Sequence, residues 1–364
     1  MRVTPRAARS HRVVNEARYW SAEPDGRIRC TLCPRDCLLR EGQAGFCFVR
    51  QNVGGKLVSL AYGRSTGFAS DPIEKKPLAH FYPGTQVLSF GTAGCNLGCR
   101  FCQNWDISKA RLADRRSQEY APREVVDLAI QAGCPSIAFT YNDPVIWAEY
   151  AIDVAKEAHA RGLKTVFVTA GYVGEKARED IFAHMDATNV DLKAFTEGFY
   201  QRVTLSHLAP VLETLAWLSR TKVWTEVTNL MIPGLNDEPA ETRALAEWLL
   251  DHMGPDVPLH FTAFHPDFKM LDRPPTPPAT LARARAVARE VGLRHVYTGN
   301  VHDREGQTTY CSSCGEALIE RDWHAIRSYR LNGDRCGGCG TPLAGRFGRE
   351  VVPTSGRRTY LGLV

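Results

Sequence analysis

Residues 91–105 read GTAGCNLGCRFCQNW and crowd three cysteines, Cys95, Cys99 and Cys102, into a C-x3-C-x2-C run with no fourth beside them. The run follows VLSFG (87–91), a short apolar stretch of strand character, so the cysteines open a loop at the end of a strand. Structural zinc sites close around four ligands, commonly supplied by paired cysteine knuckles. Three thiolates instead suit three irons of a [4Fe–4S] cluster with the fourth iron left free, whereas a cluster that only carries electrons takes four protein ligands. Zinc completed by a distant His or Cys is the competing assignment, and the lack of a second knuckle argues against it.

From VLSFG to VYTG (296–299) the chain alternates short β-branched runs with helical patterns. SIAFTY, KTVFVTAG, ATNVDLKAF, KVWTEVTNLMI and PLHFTAF read as strands. DPVIWAEYAIDVAKEAHARG and PATLARARAVAREVG read as helices that stop at Gly162 and Gly292. Repeated βα units imply a parallel sheet flanked by helices, and about seven strands imply an α/β fold with a full or partial (β/α) TIM-like barrel. An open doubly wound sheet is the alternative. In such barrels chemistry sits at the C-terminal ends of the strands, where Cys95, Cys99 and Cys102 fall.

Nine further cysteines divide the rest of the chain. Cys30, Cys33, Cys37 and Cys47 stand in a turn-rich lead-in, expected over residues 1–84, ahead of the barrel over 85–304. Cys311, Cys314, Cys336 and Cys339 form two C-x2-C-G pairs within a zinc-ribbon-like module over 305–364. The N-terminal quartet accepts either zinc or an auxiliary iron–sulfur cluster; the need of a loop-rich segment for a staple favours zinc. Cys134 stands alone and reads as a small buried apolar residue.

A chain of 364 residues with 44% hydrophobic content and a net charge of +5 is long enough for one large and one or two small domains. Its Lys and Arg are spread rather than blocked, which gives no nucleic-acid footprint, and RNA is a minor expectation resting on RLNGDR, GRFGRE and GRR. The Arg-bearing N-terminus lacks the apolar core of a signal peptide, and no apolar run approaches the roughly 20 residues of a membrane span. A soluble, cytoplasmic protein without membrane contact is expected, and grouped cysteines then mean metal rather than disulfides.

The C-x3-C-x2-C run, with Phe101 before its last cysteine, resembles the radical S-adenosylmethionine (SAM) superfamily. The ordered set CTLCPRDC, DPIEKKPLAHFYPG, CNLGCRFCQNWDIS, FTYNDP, NVDLKAF, IPGLND, AFHPDFKMLDRPPTP, VYTGNV, TYCSSCG and CGGCG resembles the radical SAM component of the AmmeMemoRadiSam system, a relative of pyruvate formate-lyase activating enzymes. The resemblance implies a [4Fe–4S] cluster on Cys95, Cys99 and Cys102. It implies SAM chelated to the free iron and cleaved by one electron to methionine and a 5′-deoxyadenosyl radical, chemistry that belongs to the cofactor. It places SAM contacts on Tyr141, Asn142 and Asp143 through their main chain, and on Thr169, Asp191, Lys193 and His265. TYNDP lacks the glycine pair of the family's corresponding motif, and the arginine that activases often carry near Glu226 and Asn229 is absent. An electron donor such as flavodoxin or ferredoxin, and Memo-like and AMMECR-like partners, follow by the same resemblance. The implied reaction is hydrogen abstraction, from a protein glycine in the activase version, with an RNA-modifying enzyme and a non-catalytic iron–sulfur scaffold as rivals. The residues name no catalytic side chain.

Simpler roles compete at several positions. Asp143, before Pro144, suits a helix cap; Lys193 suits a solvated surface; His265 suits a turn. The charged run 71–81 suits a solvated loop, against a role for Glu74, Lys75, Lys76 and His80 at the substrate.

Overall fold

The computed structural model describes residues 15–111, 117–348 and 356–361. Its centre is a nine-stranded sheet. In chain order the strands are β1 (Phe68–Pro72), β2 (Gln86–Phe90), β3 (Ser136–Phe139), β4 (Lys164–Thr169), β5 (Ala187–Asp191), β6 (Trp224–Met231), β7 (Leu259–Ala263), β8 (Val296–Gly299) and β9 (Thr359–Tyr360). Their spatial order is β8-β7-β6-β5-β4-β3-β2-β1-β9. Strands β2 to β8 are parallel, while β1 and β9 join antiparallel. Among the described residues no ladder joins β8 to β9, so the pairings are those of an open sheet.

The crossovers are the expected helices: α1 (Pro122–Gln131), α2 (Ala148–Ala160), α3 (Glu175–Phe182), α4 (Ala209–Leu218), α5 (Pro239–Met253) and α6 (Pro278–Val291). Their stops follow backbone sterics: Gly162 and Gly292 have φ of +77° and +124°, a region that L side chains avoid. Because strand side chains alternate, each strand sorts its residues onto two faces. Phe90, Phe139 and Phe167 share the helix-covered face and pack with Trp147 and Phe182.

The opposite face is filled by the charged run that suited a solvated loop. Ile73, Leu78 and Phe81 pack on Val87, Ala138, Val166 and Ala187. Asp71, Glu74, Lys76 and His80 are all buried. The solvated reading fails because each of these four side chains finds a partner. Lys76 pairs with Asp71 at 2.6 Å, and Glu74 accepts from Gly84 N at 2.8 Å. The Glu226 carboxylate accepts from the backbone N–H of Ala79 and His80, from Trp224 and from His260, at 2.6–2.9 Å. Burial pushes Glu74 up to about 7 and Lys76 down to about 8.

Among the described residues two small antiparallel sheets precede the large one, a two-stranded one pairs Arg64–Ser65 with Gln118–Glu119, and two follow Gly306. The C-terminal segment is tied to the inserted run: Arg321 donates to Ala79 O, His80 Nδ1 meets Ala344 O, and Tyr297 bridges His80 and Thr309. No helix among the described residues is long and apolar enough to cross a membrane.

Candidate active site

Cys95, Cys99 and Cys102 lie in the loop that leaves β2, at the C-terminal edge of the parallel strands. The loop is held by hydrogen bonds on several sides. Asn142 Nδ2 donates to Gly94 O at 2.7 Å while its Oδ1 accepts from Thr92 N, and Asn104 Nδ2 donates to Tyr141 O at 2.9 Å. Across the site, Gly98 N and Arg100 N donate to Thr204 O and Val203 O, and Lys109 Nζ donates to Leu97 O at 2.5 Å. Glycine is required where the loop passes close to other chain: a Cβ on Gly91 would sit 2.6 Å from Thr140 O.

Burial pushes the thiols of Cys95 and Cys99 up to about 11 and about 12, with the Lys193 ammonium pulling Cys99 the other way. Buried thiols of this kind bind metal with release of their protons. A [4Fe–4S] cluster would take each thiolate on its own iron, which calls for sulfurs farther apart than those around one ion. The three sulfurs are not drawn together as a single-ion site would draw them: among the described residues only the C-terminal quartet gathers its ligand atoms within 4.8 Å. The loop therefore fits a cluster rather than a lone ion.

The other expected positions ring this loop at the strand ends. Asp143 is buried, and its carboxylate accepts from Val145 N at 3.1 Å, Thr169 Oγ1 at 2.9 Å and Ala170 N at 3.0 Å. It is thus the cap that its place before Pro144 suggests, and it also clamps the end of β3 to the end of β4. Tyr141 has φ of +71°, so TYNDP reaches a left-handed backbone without glycine, and its hydroxyl donates to Asp71 at 2.9 Å. Asp191 and Lys193 form an ion pair at 2.5 Å. The Lys193 side chain is only 16% exposed and lies 6.0 Å from the Phe101 ring centre, which removes the solvated-surface reading.

His265 is exposed, its Nδ1 beside Pro266 O at 3.2 Å. Its loop still reaches the cysteines: Lys269 N donates to Arg100 O at 3.0 Å, and Phe268 stacks on Trp105 with ring centres 5.5 Å apart. Glu226 and Asn229 are turned to structure, the first by its four donors, the second by a bond to Leu192 O at 2.8 Å. Asn104 and Tyr200, whose hydroxyl accepts from Lys193 N at 3.0 Å, carry no sequence signal for these roles. Asn104 stands in the cysteine run itself, while the tertiary path brings Tyr141 O to it and Tyr200 to Lys193.

At the far end of the chain the Sγ atoms of Cys311 and Cys339 are 3.6 Å apart and those of Cys314 and Cys336 3.7 Å apart. Four thiolates at about 2.3 Å from one tetrahedral ion would stand about 3.8 Å apart. This is a four-cysteine site of single-ion size.

Residues 90–246 match the Radical SAM superfamily. An uncharacterized protein of Methanocaldococcus jannaschii is 41% identical over 332 residues, 91% of this chain and 99% of the relative. A pyruvate formate-lyase-activating enzyme of Clostridium pasteurianum is 24% identical over 45% of this chain and 69% of its own length. The benzylsuccinate synthase activating enzyme of Thauera aromatica is 28% identical over 35% and 39% respectively. A cysteine loop at the edge of a parallel sheet, within the matched residues and alongside activating-enzyme relatives, gives this enzyme a radical SAM superfamily domain over residues 90–246.

Proposed function

We propose that the chain is an activase-like radical SAM enzyme that abstracts hydrogen from a substrate held at the C-terminal edge of its sheet. The observation that carries this reading is the convergence of Cys95, Cys99 and Cys102 with the Asp191–Lys193 pair and the Asp143 clamp around one loop. When bound there, a [4Fe–4S] cluster with SAM supplies a 5′-deoxyadenosyl radical by one-electron cleavage.

The chain's own residues bind and shield. The main chain of Tyr141, Asn142 and Asp143 receives the methionyl amino group, Asp143 and Thr169 hold that backbone in place, and Lys193 offers its cation to the SAM carboxylate. Asp191 keeps that ammonium charged: despite the burial that opposes it, the pair raises Lys193 above its ordinary range. His265 and Phe268 stand on the β7 side of this site, His265 exposed and Phe268 stacked on Trp105 just after the cysteine run. Supporting roles complete the assignment: a zinc ion on Cys311, Cys314, Cys336 and Cys339, a one-electron donor such as flavodoxin or ferredoxin, and the divisions 1–84, 85–304 and 305–364. The set of motifs favours the AmmeMemoRadiSam branch, with Memo-like and AMMECR-like partners, on a full or partial barrel.

The test is anaerobic incubation of the iron-loaded enzyme with reductant and SAM, together with candidate partner proteins deuterated at glycine. Methionine and 5′-deoxyadenosine should form, and Cys99→Ala should form neither. Deuterium in 5′-deoxyadenosine with a glycyl radical on the partner supports the activase version. Deuterium from a small molecule or RNA overturns that version alone, and product formation by Cys99→Ala overturns the cysteine assignment.

A further inference from the structure

The N-terminal quartet is the metal site that neither the chemistry above nor the relatives explain. Cys30, Cys33, Cys37 and Cys47 are free thiols that line one common cavity. Two observations decide what the cavity takes.

The first is spacing. Cys311, Cys314, Cys336 and Cys339 show how this chain builds a single-ion site, with every sulfur within 4.8 Å of the others. Among the described residues that arrangement occurs nowhere else, so the four N-terminal sulfurs face one space without closing on one point. In this they match the cysteines of the candidate active site. A zinc ion with bonds of about 2.3 Å would leave thiolates so spread unbound, whereas a cubane carries an iron to each of them.

The second is an unanswered donor. Arg50 lines the same cavity and is 1% exposed. Its Nη1 and Nη2 bond Glu149 at 2.9 and 3.0 Å, and Nη2 also bonds Arg18 O. Its Nε is buried with no partner among the described residues. A buried guanidinium N–H without an acceptor is costly and rare in native proteins. A cluster with four thiolates is anionic and presents sulfur acceptors to such a donor.

We propose that Cys30, Cys33, Cys37 and Cys47 ligate a second [4Fe–4S] cluster, placed beside the active-site cluster for one-electron exchange with it. The two cysteine loops touch. Asn96, the neighbour of Cys95, lines the N-terminal cavity; Arg35 bonds to Asn96 O; and Gly94 has no room for a side chain, because a Cβ would lie 2.1 Å from Cys47 O. A cluster fully ligated by protein has no open iron for SAM, so its role is to accept an electron from an external one-electron donor and pass it on.

Metal and spectroscopic analysis of the full chain tests this, after anaerobic loading with iron and sulfide in the presence of zinc. The wild type should hold about eight irons and one zinc per chain, two cubanes and one four-thiolate zinc ion. The triple variant Cys95→Ala/Cys99→Ala/Cys102→Ala should keep about half the iron, with a reduced-cluster paramagnetic resonance signal that SAM does not change. The double variant Cys33→Ala/Cys37→Ala should lose that signal and keep the SAM-sensitive one; if it does not fold, the triple variant decides alone. A triple variant with no cluster iron and two zinc ions overturns the proposal. A wild type with half the expected iron, all of it retained in the triple variant, would overturn the active-site assignment and leave this one standing.

Discussion

Asp143→Asn tests whether the strand-end clamp carries the cofactor site. The substitution keeps shape and replaces one carboxylate oxygen by a donor. If the amide nitrogen takes the Oδ2 place it faces the Ala170 N–H, which now donates to Oδ2 at 3.0 Å, so one buried donor loses its acceptor. That orphan costs about 1–3 kcal/mol, and weakening the Val145 and Thr169 bonds from charged to neutral removes about 1 kcal/mol each. Against this, burial pushes the Asp143 carboxyl up, so removing the charge returns part of the loss. The net cost is about 2–4 kcal/mol, or a fall in melting temperature of about 3–5 °C for a chain of this size. If about 1.4 kcal/mol of it comes from strand-end geometry that SAM needs, affinity falls about tenfold. Calorimetry and equilibrium dialysis with labelled SAM on the iron-loaded enzyme read the two effects. A variant that melts with the wild type and binds SAM equally well refutes the clamp argument.

Asp191→Asn and Lys193→Met should each weaken SAM binding while leaving the iron content intact; unchanged affinity in both would assign the pair to substrate or structure. Glu226 titrates at about 2 despite its burial, because His260, His80 and the Ala79 N–H favour its charged form. A folded value below the free-chain 4.5 stabilises above about pH 4.5 and is lost as pH falls toward 2, about 3 kcal/mol over that window. Glu226→Gln should flatten this part of the acid-unfolding profile, and an identical profile would show that the carboxylate does not anchor the inserted run. Truncation before Thr308 should remove about one zinc by the four-ligand argument and lower the melting temperature, since Ala79 O loses its Arg321 donor and Thr309 no longer meets Tyr297. Retention of both zinc and melting temperature would refute that coupling.

The sequence by itself determined what depends on local periodicity and spacing. Alternating apolar runs placed β2 to β8 and their helices, because burial on a sheet face and on a helix stripe leaves periods of two and 3.6 in the text. The cysteine loop, the paired terminal knuckles and the Asp143 cap were legible for the same reason, since each is made by residues close in the chain. What the tertiary structure alone decided are contacts between distant segments. The charged run 71–81 looks solvated until the sheet supplies Glu226, more than 140 residues away, as acceptor for two of its backbone N–H groups. Lys193 looks exposed until Phe101 and Tyr200 surround it. Whether four cysteines close on one ion or stand apart around a cavity is likewise invisible to spacing. Chain separation sets only which sulfurs can meet, and the distance between them is set by how the loops pack against Arg50 and the active-site loop.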